Sequence, residues 1–235
     1  MDYDVFISFP LTEHRSSFKE TINTKDFYIA KKIHSVLQNL LHVHTFFSDV
    51  SLLDNDKTDF WAKIHEVIPR SLVLVIVLTK AKDYERFYCA EERRLYYESH
   101  PSDKRKIYFV CSKAVKRHIK EFDIFDVEEG KPEIILWEEL RQQQKFYNFI
   151  NNYFGKNEPG KDEEVLICTK CEKVFYKDNY IGTMCVHHDK SEIKVDEKTL
   201  SVRFNCCNKV IRIENKNALF DIAPGCVQEP NHTFE

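Results

Sequence analysis

The stretch SLVLVIVLTKAKDYERFYCAEERRLYY, residues 71–97, decides how the N-terminal part of the chain folds. Its first part, Leu72–Leu78, is a continuous apolar run rich in Val and Ile, which is typical of a parallel strand buried on both faces. After a polar turn, the apolar residues recur at helical spacing and acids precede arginines, which favours a helix. Glu91 and Glu92 then fall on its first turns, just past the carboxyl end of the strand. In open α/β sheets, ligands bind at that end.

Short apolar runs alternate with helical patterns on both sides of this stretch, and the alternation predicts an α/β fold with a doubly wound parallel sheet. Asp26 is positioned to cap the first helix, and Pro69 to end the second. The predicted strands are Tyr3–Phe9, Val43–Phe47, Leu72–Leu78, Lys106–Cys111 and Ile134–Trp137, and the other predicted helices are Phe27–Leu41, Phe60–Ile68 and Trp137–Phe154.

Composition narrows the class of protein. A net charge of -3 over 235 residues argues against a general nucleic-acid or membrane-surface binder. The first ten residues lack the features of a signal peptide, and no uncharged apolar run is long enough for a bilayer. We therefore expect a cytoplasmic protein that binds neither nucleic acid nor membrane. With five glycines, the chain offers no phosphate-binding loop or dinucleotide fingerprint, which excludes a Rossmann dehydrogenase.

The cysteines are concentrated after residue 165, where six of the eight occur. In a reducing compartment these are thiols or metal ligands rather than disulfides. The polar composition of segment 156–164 is typical of a linker, so we expect domains at 1–155 and 165–235. The inventory suits two structural Cys3His zinc sites, with ligand pairing left open and His187 an alternative to its neighbour. The proposed ligands are Cys168, Cys171, Cys185, His188, Cys206, Cys207, Cys226 and His232.

Two details of spacing bear on the metal sites. Cys168 and Cys171 can converge on one ion through a tight turn, whereas the adjacent Cys206 and Cys207 point in opposite directions on an extended chain and would serve different ions. Ordinary buried thiols are the alternative, but so small a segment would hardly build a core without a metal.

Four segments of the first domain resemble, in order, a Toll/interleukin-1 receptor (TIR) domain of the NAD-cleaving defence type: YDVFISF, FFSDVSLL, VLVIVLT and YERFYCAEE. The resemblance covers residues 1–155 and implies a flavodoxin-like fold that self-associates through TIR–TIR contacts. It also implies an NAD+ nucleosidase, a hydrolase or cyclase, with one catalytic glutamate in a pattern like W-C-x-x-E. That pattern falls on Glu92, with Tyr88 in place of the usual tryptophan and Glu91 one residue away.

The chemistry makes a single carboxylate sufficient. Breaking the nicotinamide–ribose bond passes through an oxocarbenium-like state, and the pyridinium is already a good leaving group. The alternative is that Glu91 and Glu92 pair with Arg94 on a solvated helix face, which is worth a few tenths of a kcal/mol. Either way we expect Glu92 to be exposed and to contribute little to stability.

Further substrate contacts are weaker candidates. Aromatic residues at strand ends, with Phe47 as an alternative to Phe46, could stack on the nicotinamide or adenine ring, although such residues are more often core. Asp26 more often caps a helix than touches ribose, and Trp61 more often packs than shapes a cleft. The candidates are Phe9, Asp26, Phe46, Ser48, Asp49, Trp61 and Tyr88.

The second domain resembles the cysteine- and histidine-rich CHORD type of zinc module through CVHH, FNCC and GCVQEPNH. Its first cysteine pair is closer than in that family, and Phe204-Asn205 replace a characteristic tryptophan. The resemblance implies a small, mostly β domain stabilised by two structural Zn2+ ions, which recognises a protein partner or assists assembly. Cys89 and Cys111 have no such spacing and are expected to be core thiols.

Two classes of function remain open. The first is a TIR NAD+ nucleosidase in innate-immunity or cell-death signalling, with NAD+ as substrate and a linear or cyclic product. The second is a non-enzymatic TIR adaptor that acts by self-association, with Glu92 as a surface residue. Release of nicotinamide from NAD+ separates them.

Overall fold

The computed structural model describes residues 3–10, 25–47, 60–85, 87–125, 130–154, 164–169 and 171–177, and the backbone of five later strands. The chain divides into two compact units, an N-terminal unit (Met1–Asn157) and a C-terminal unit (Glu158–Glu235). Within the described ranges, no helix combines the length and apolar character needed to cross a membrane.

A five-stranded parallel sheet with strand order β2-β1-β3-β4-β5 forms the centre of the N-terminal unit, in agreement with the predicted α/β fold. All six residues of β3 are buried because the sheet is covered on both faces, which explains the continuous apolar run. The chain leaves β1 for β2 on one side and returns to β3 on the other, so a crevice is expected between the carboxyl ends of β1 and β3. The strands are β1 Val5–Ser8, β2 Thr45–Phe47, β3 Val73–Leu78, β4 Ile107–Cys111 and β5 Glu133–Leu136.

Four of the described helices correspond to predicted ones but have different ends, and the short helix Lys113–Lys116 was not predicted. The first continues into a π-helical turn at Val36–Leu40, and the second ends in a 3-10 turn at Ile68–Arg70 that contains Pro69. The last begins later than predicted, because the backbone at Trp137 still bonds to the end of β4. The helices are α1 Lys25–Ser35, α2 Phe60–Val67, α3 Phe87–Ser99, α4 Lys113–Lys116 and α5 Leu140–Phe154. Further 3-10 turns lie at Ala81–Asp83, Ser102–Lys104, Ile119–Glu121 and Asp123–Phe125.

Asp26 does not cap α1 as predicted. It lies inside the first turn, is 2% exposed, and accepts a hydrogen bond from the backbone N–H of Thr79, 53 residues away. Thr79 follows the last residue of β3, so this carboxyl group ties the start of α1 to the end of the central strand. A distant backbone donor has replaced the local one that a cap would use.

The described elements of the C-terminal unit are all strands, paired antiparallel. A hairpin joins β6 Val165–Ile167 to β7 Val174–Tyr176. The other strands are β8 Cys185–His187, which pairs with β12 Val227–Glu229, and the three-stranded sheet of β9 Ile193–Asp196, β10 Ser201–Phe204 and β11 Lys209–Arg212.

Candidate functional site

Ser8 and Glu92 meet at the carboxyl end of β1, where the strand order leads us to expect a crevice. Ser8 is the last residue of β1, and Glu92 lies on the second turn of α3. The Ser8 hydroxyl donates to Glu92 Oε2 at 2.6 Å, joining residues 84 positions apart. Ser8 is 1% exposed and Glu92 6% exposed. The resemblance identified Glu92 but gave no indication of Ser8, whose only signal is its position at a strand end.

The prediction that Glu92 occupies an exposed helix position is wrong. Cys89, Glu92 and Tyr96 are spaced by three and four residues, which puts them on one helix face, and all three are buried. In the sequence, Cys89 and Tyr96 at this spacing were the signal that could have placed Glu92 on the buried face of the helix. Burial raises the pKa of Glu92 to about 7, against the lowering effects of the Ser8 hydrogen bond and the Arg93 charge.

Glu91 has the environment that was expected for its neighbour. It is one residue further around α3, and both of its oxygens accept from Arg94, at 2.6 and 2.9 Å. These hydrogen bonds hold its pKa below the ordinary value. The ion pair on the helix surface therefore belongs to Glu91, and Glu92 is the carboxyl group that bonds to Ser8.

Two further titratable groups accompany the pair. Burial raises the pKa of the Cys89 thiol, and the negative charge of Glu92 raises it further, while a hydrogen bond with Ser8 lowers it. Burial also raises the pKa of Asp26, against the hydrogen bond from Thr79. Asp26 acts electrostatically on Cys89 as well. Ser8, Asp26, Cys89 and Glu92 thus form one buried polar cluster, in which the thiol stays protonated at neutral pH.

Two of the aromatic candidates belong to the core. Phe9 is 5% exposed and stacks on Phe47 with ring centroids 5.1 Å apart. Phe46 is fully buried, stacks on Phe6 at 5.2 Å, and takes the edge of Tyr3. This is the core role that was the alternative to stacking on a substrate ring.

The structure describes the remaining candidates for substrate contact to different extents. Trp61 is half-buried on α2 and lies edge-on to His65, with centroids 6.1 Å apart. Tyr88 lies on α3 next to Cys89, and only its backbone is described. Ser48 and Asp49 lie outside the described residues.

The Cys168–Cys171 pair sits in the turn between β6 and β7. The Cys168 N–H donates to the carbonyl of Lys173, and the Glu172 N–H donates back to the carbonyl of Cys168. Glu172 has φ of +57°, so the chain reverses directly after the second cysteine. Cys168 is fully buried, Cys171 is half-buried, and neither forms a disulfide. Two thiols in one tight turn fit half of a tetrahedral zinc site.

The rest of the zinc inventory is not described in the same detail. Among residues with described side chains, no three or more His, Cys, Asp or Glu residues form a metal-binding group. Cys185 begins β8, and only its backbone is described. The other proposed ligands, outside the described residues, are His188, Cys206, Cys207, Cys226 and His232.

No protein-family model matches the sequence, and no curated protein matches it significantly.

Proposed function

We propose that the N-terminal unit is a TIR-like domain that cleaves NAD+ at the nicotinamide–ribose bond, with Glu92 as the catalytic carboxylate. The strand order 2-1-3-4-5 supports this, because it is the order of flavodoxin-like folds, which bind ligands at the β1/β3 crevice. The observation that carries the proposal is the state of Glu92 in that crevice. Its Oε2 accepts from Ser8, and no donor among the described residues contacts its Oε1.

The free oxygen is what the chemistry requires. As the bond to the pyridinium breaks, positive charge develops on the ribose, and a fixed carboxylate stabilises that charge or holds a ribose hydroxyl. Ser8 holds the other oxygen and so orients the group. A buried carboxyl responds strongly to charge because little water screens it. The ionised form is the active one, so the acid limb of the rate profile is expected near the pKa of about 7.

The C-terminal unit completes the proposal as a CHORD-like zinc module. Cys168 and Cys171 would hold one Zn2+, with other ligands drawn from the remaining cysteines and histidines. A metal with four protein ligands has no open position, so it stabilises the fold and takes no part in catalysis. The unit would serve recognition or assembly in innate-immunity or cell-death signalling.

The test is release of nicotinamide from NAD+, measured chromatographically on the full chain. Glu92→Gln keeps the shape and the ability to accept from Ser8 but removes the charge, so we expect the rate to fall by about 100-fold or more. Glu91→Gln removes the charge of the neighbouring half-buried carboxylate, which pairs with Arg94. It is the matched control and should retain nearly all activity. Equal rates for wild type and Glu92→Gln, with circular dichroism unchanged, would overturn the assignment.

A non-enzymatic adaptor is the second candidate, and the 6% exposure of Glu92 favours it, because a buried carboxyl can serve the fold alone. Catalytic TIR domains are expected to complete their site by self-association. Nicotinamide release per molecule should therefore rise with protein concentration. Absence of release across the whole dilution series, in a protein that self-associates, would support the adaptor.

A further inference from the structure

A second cleft lies at the opposite end of the sheet, where β4 and β5 begin. Its volume is about 440 Å³, within the range of small-molecule sites, and it is lined by Ser102 and Asp103, by the segments that enter β4 and β5, and by Phe149 of α5. Gly130 closes one wall. It has φ of +70°, and a Cβ there would lie 2.9 Å from the carbonyl oxygen of Ser102. The close approach of the two loops therefore requires glycine at position 130, because any other residue there would be strained.

Tyr108, the second residue of β4, also lines this cleft. The residue is 3% exposed, and its hydroxyl makes no hydrogen bond within the described protein. A hydroxyl that belongs to a cleft-lining residue and has no acceptor in the described protein is available to donate to a ligand. Burial and then the charge of Glu133 raise the pKa of Tyr108. A raised pKa keeps the hydroxyl protonated at neutral pH, so it can donate a hydrogen bond.

Arg105 supplies a fixed cation in the same cleft. Its guanidinium stacks over the Tyr97 ring at 4.4 Å, and its Nε and Nη2 donate to the carbonyls of His100 and Tyr97, each at 2.9 Å. These contacts set the plane of the group and leave Nη1 without an acceptor among the described residues. A guanidinium held in one orientation loses little entropy when it binds an anion.

The rim carries more charge of both signs. Lys106 and Lys131 line the cleft, and neither forms an ion pair with a described carboxylate. Asp103 and Glu133 also line it. The donors suit the several oxygens of a phosphate, and the carboxylates suit hydroxyl groups, which donate to them.

We propose that this cleft binds a phosphorylated, hydroxyl-bearing small molecule of about mononucleotide size. The phosphate would accept from Tyr108 and Arg105, with the lysine charges attracting it, and the hydroxyls would donate to the acids. The site is separate from the Ser8–Glu92 crevice, and it stands whether or not the chain cleaves NAD+.

Calorimetric titration of the full chain with AMP, adenosine and inorganic phosphate tests the proposal. We expect saturable binding of AMP, binding of adenosine weaker by about tenfold or more, and competition by inorganic phosphate. Removing the phosphate contacts through Tyr108→Phe or Lys131→Ala should each weaken AMP binding several-fold. Tyr108→Phe deletes a hydroxyl that has no partner in the protein, so the fold should be unaffected.

Lys104→Ala is the matched control, because this lysine is exposed nearby and does not line the cleft. It should leave AMP binding unchanged. The proposal is overturned if AMP does not bind below about 1 mM, if adenosine binds as tightly as AMP, or if Tyr108→Phe and Lys131→Ala both leave the affinity unchanged.

Discussion

At the scale of single residues, Glu91 and Glu92 show how one step along a helix changes the chemistry of a carboxylate. The two side chains are 100° apart around the helix. Arg94 holds the pKa of Glu91 below its ordinary value, whereas burial raises the pKa of Glu92. Stability and function make opposite demands on Glu92. Its charged form is costly to bury, and the proposed reaction needs that form.

The first prediction follows from this cost. The pKa of Glu92 rises from 4.5 in the unfolded chain to about 7 in the folded protein, so the folded state binds this proton more tightly. The stabilisation is complete below pH 4.5 and is lost as pH rises through 7, by about 3 kcal/mol. In Glu92→Gln that decline should be absent. Urea unfolding from pH 4 to pH 8 measures the difference.

Asp26 provides the control for that experiment, because its pKa is also raised and contributes a decline of the same sign. Asp26→Asn should remove its own share and keep the share that belongs to Glu92. Parallel stability curves for wild type and Glu92→Gln over the whole range would contradict the prediction.

Ser8 carries the second prediction. Its hydrogen bond lowers the pKa of Glu92, so Ser8→Ala should raise that pKa further and reduce the free energy of unfolding by about 1 to 2 kcal/mol. Ser71→Ala is the control, since Ser71 is fully buried and donates to the carbonyl of Val67 at 3.0 Å, away from Glu92. It should cost similar stability and leave the pKa of Glu92 alone. A carbon-13 NMR titration of the carboxyl group separates the two outcomes.

At the scale of elements, periodicity located the strands and helices but not their ends. Six consecutive buried residues identify β3 because a strand covered on both faces has no polar positions. The ends depend on distant partners. The position of Asp26 in the sequence predicts a local helix cap, yet its carboxyl group accepts a hydrogen bond from the backbone N–H of Thr79, just after β3. The sequence pattern selected Glu92 as a candidate but did not indicate its burial or its hydrogen bond from Ser8, because no local rule connects residues 84 positions apart.

The third prediction concerns the contact between two elements at Gly130. Its φ of +70° is unfavourable for any side chain, and a Cβ would also crowd the Ser102 carbonyl at 2.9 Å and Arg105 Cβ at 3.3 Å. Gly130→Ala should therefore reduce the free energy of unfolding by about 1 to 3 kcal/mol. Lys104→Ala, on the neighbouring exposed turn, should change it little. A Gly130→Ala protein as stable as wild type in urea would show that the loop relaxes freely.

At the scale of the whole molecule, the two units differ in how far sequence can describe them. The parallel sheet follows from contiguous patterns, and each strand carries its own signal. Zinc ligands come from segments far apart in the chain, so spacing identifies a pair such as Cys168 and Cys171 without showing what completes the site. The hairpin confirms only that these two thiols share a turn.

The last prediction is that metal holds the C-terminal unit together. The strands that the structure describes in this unit are three or four residues long, too short to bury enough apolar surface to offset their backbone entropy. Zinc binding in finger peptides is worth roughly 10 to 16 kcal/mol, far more than such a core supplies. We expect two zinc ions per chain by elemental analysis, and loss of structure confined to the C-terminal unit when a strong chelator is added. Acid should have the same effect, because thiolates must be deprotonated to bind.

A pair of cysteine variants sharpens the zinc measurement. Cys171→Ser should lower the zinc content by about one ion per chain, because the turn then offers a single thiolate. Cys111→Ser, which alters a buried thiol of β4 in the N-terminal unit, should keep both ions. Hydrogen exchange in chelator then reports each unit separately: amides of the parallel sheet should stay protected while those of the β6–β7 hairpin exchange. A chain with less than one zinc, or a hairpin that stays protected in chelator, would mean that the C-terminal unit folds on its apolar contacts after all.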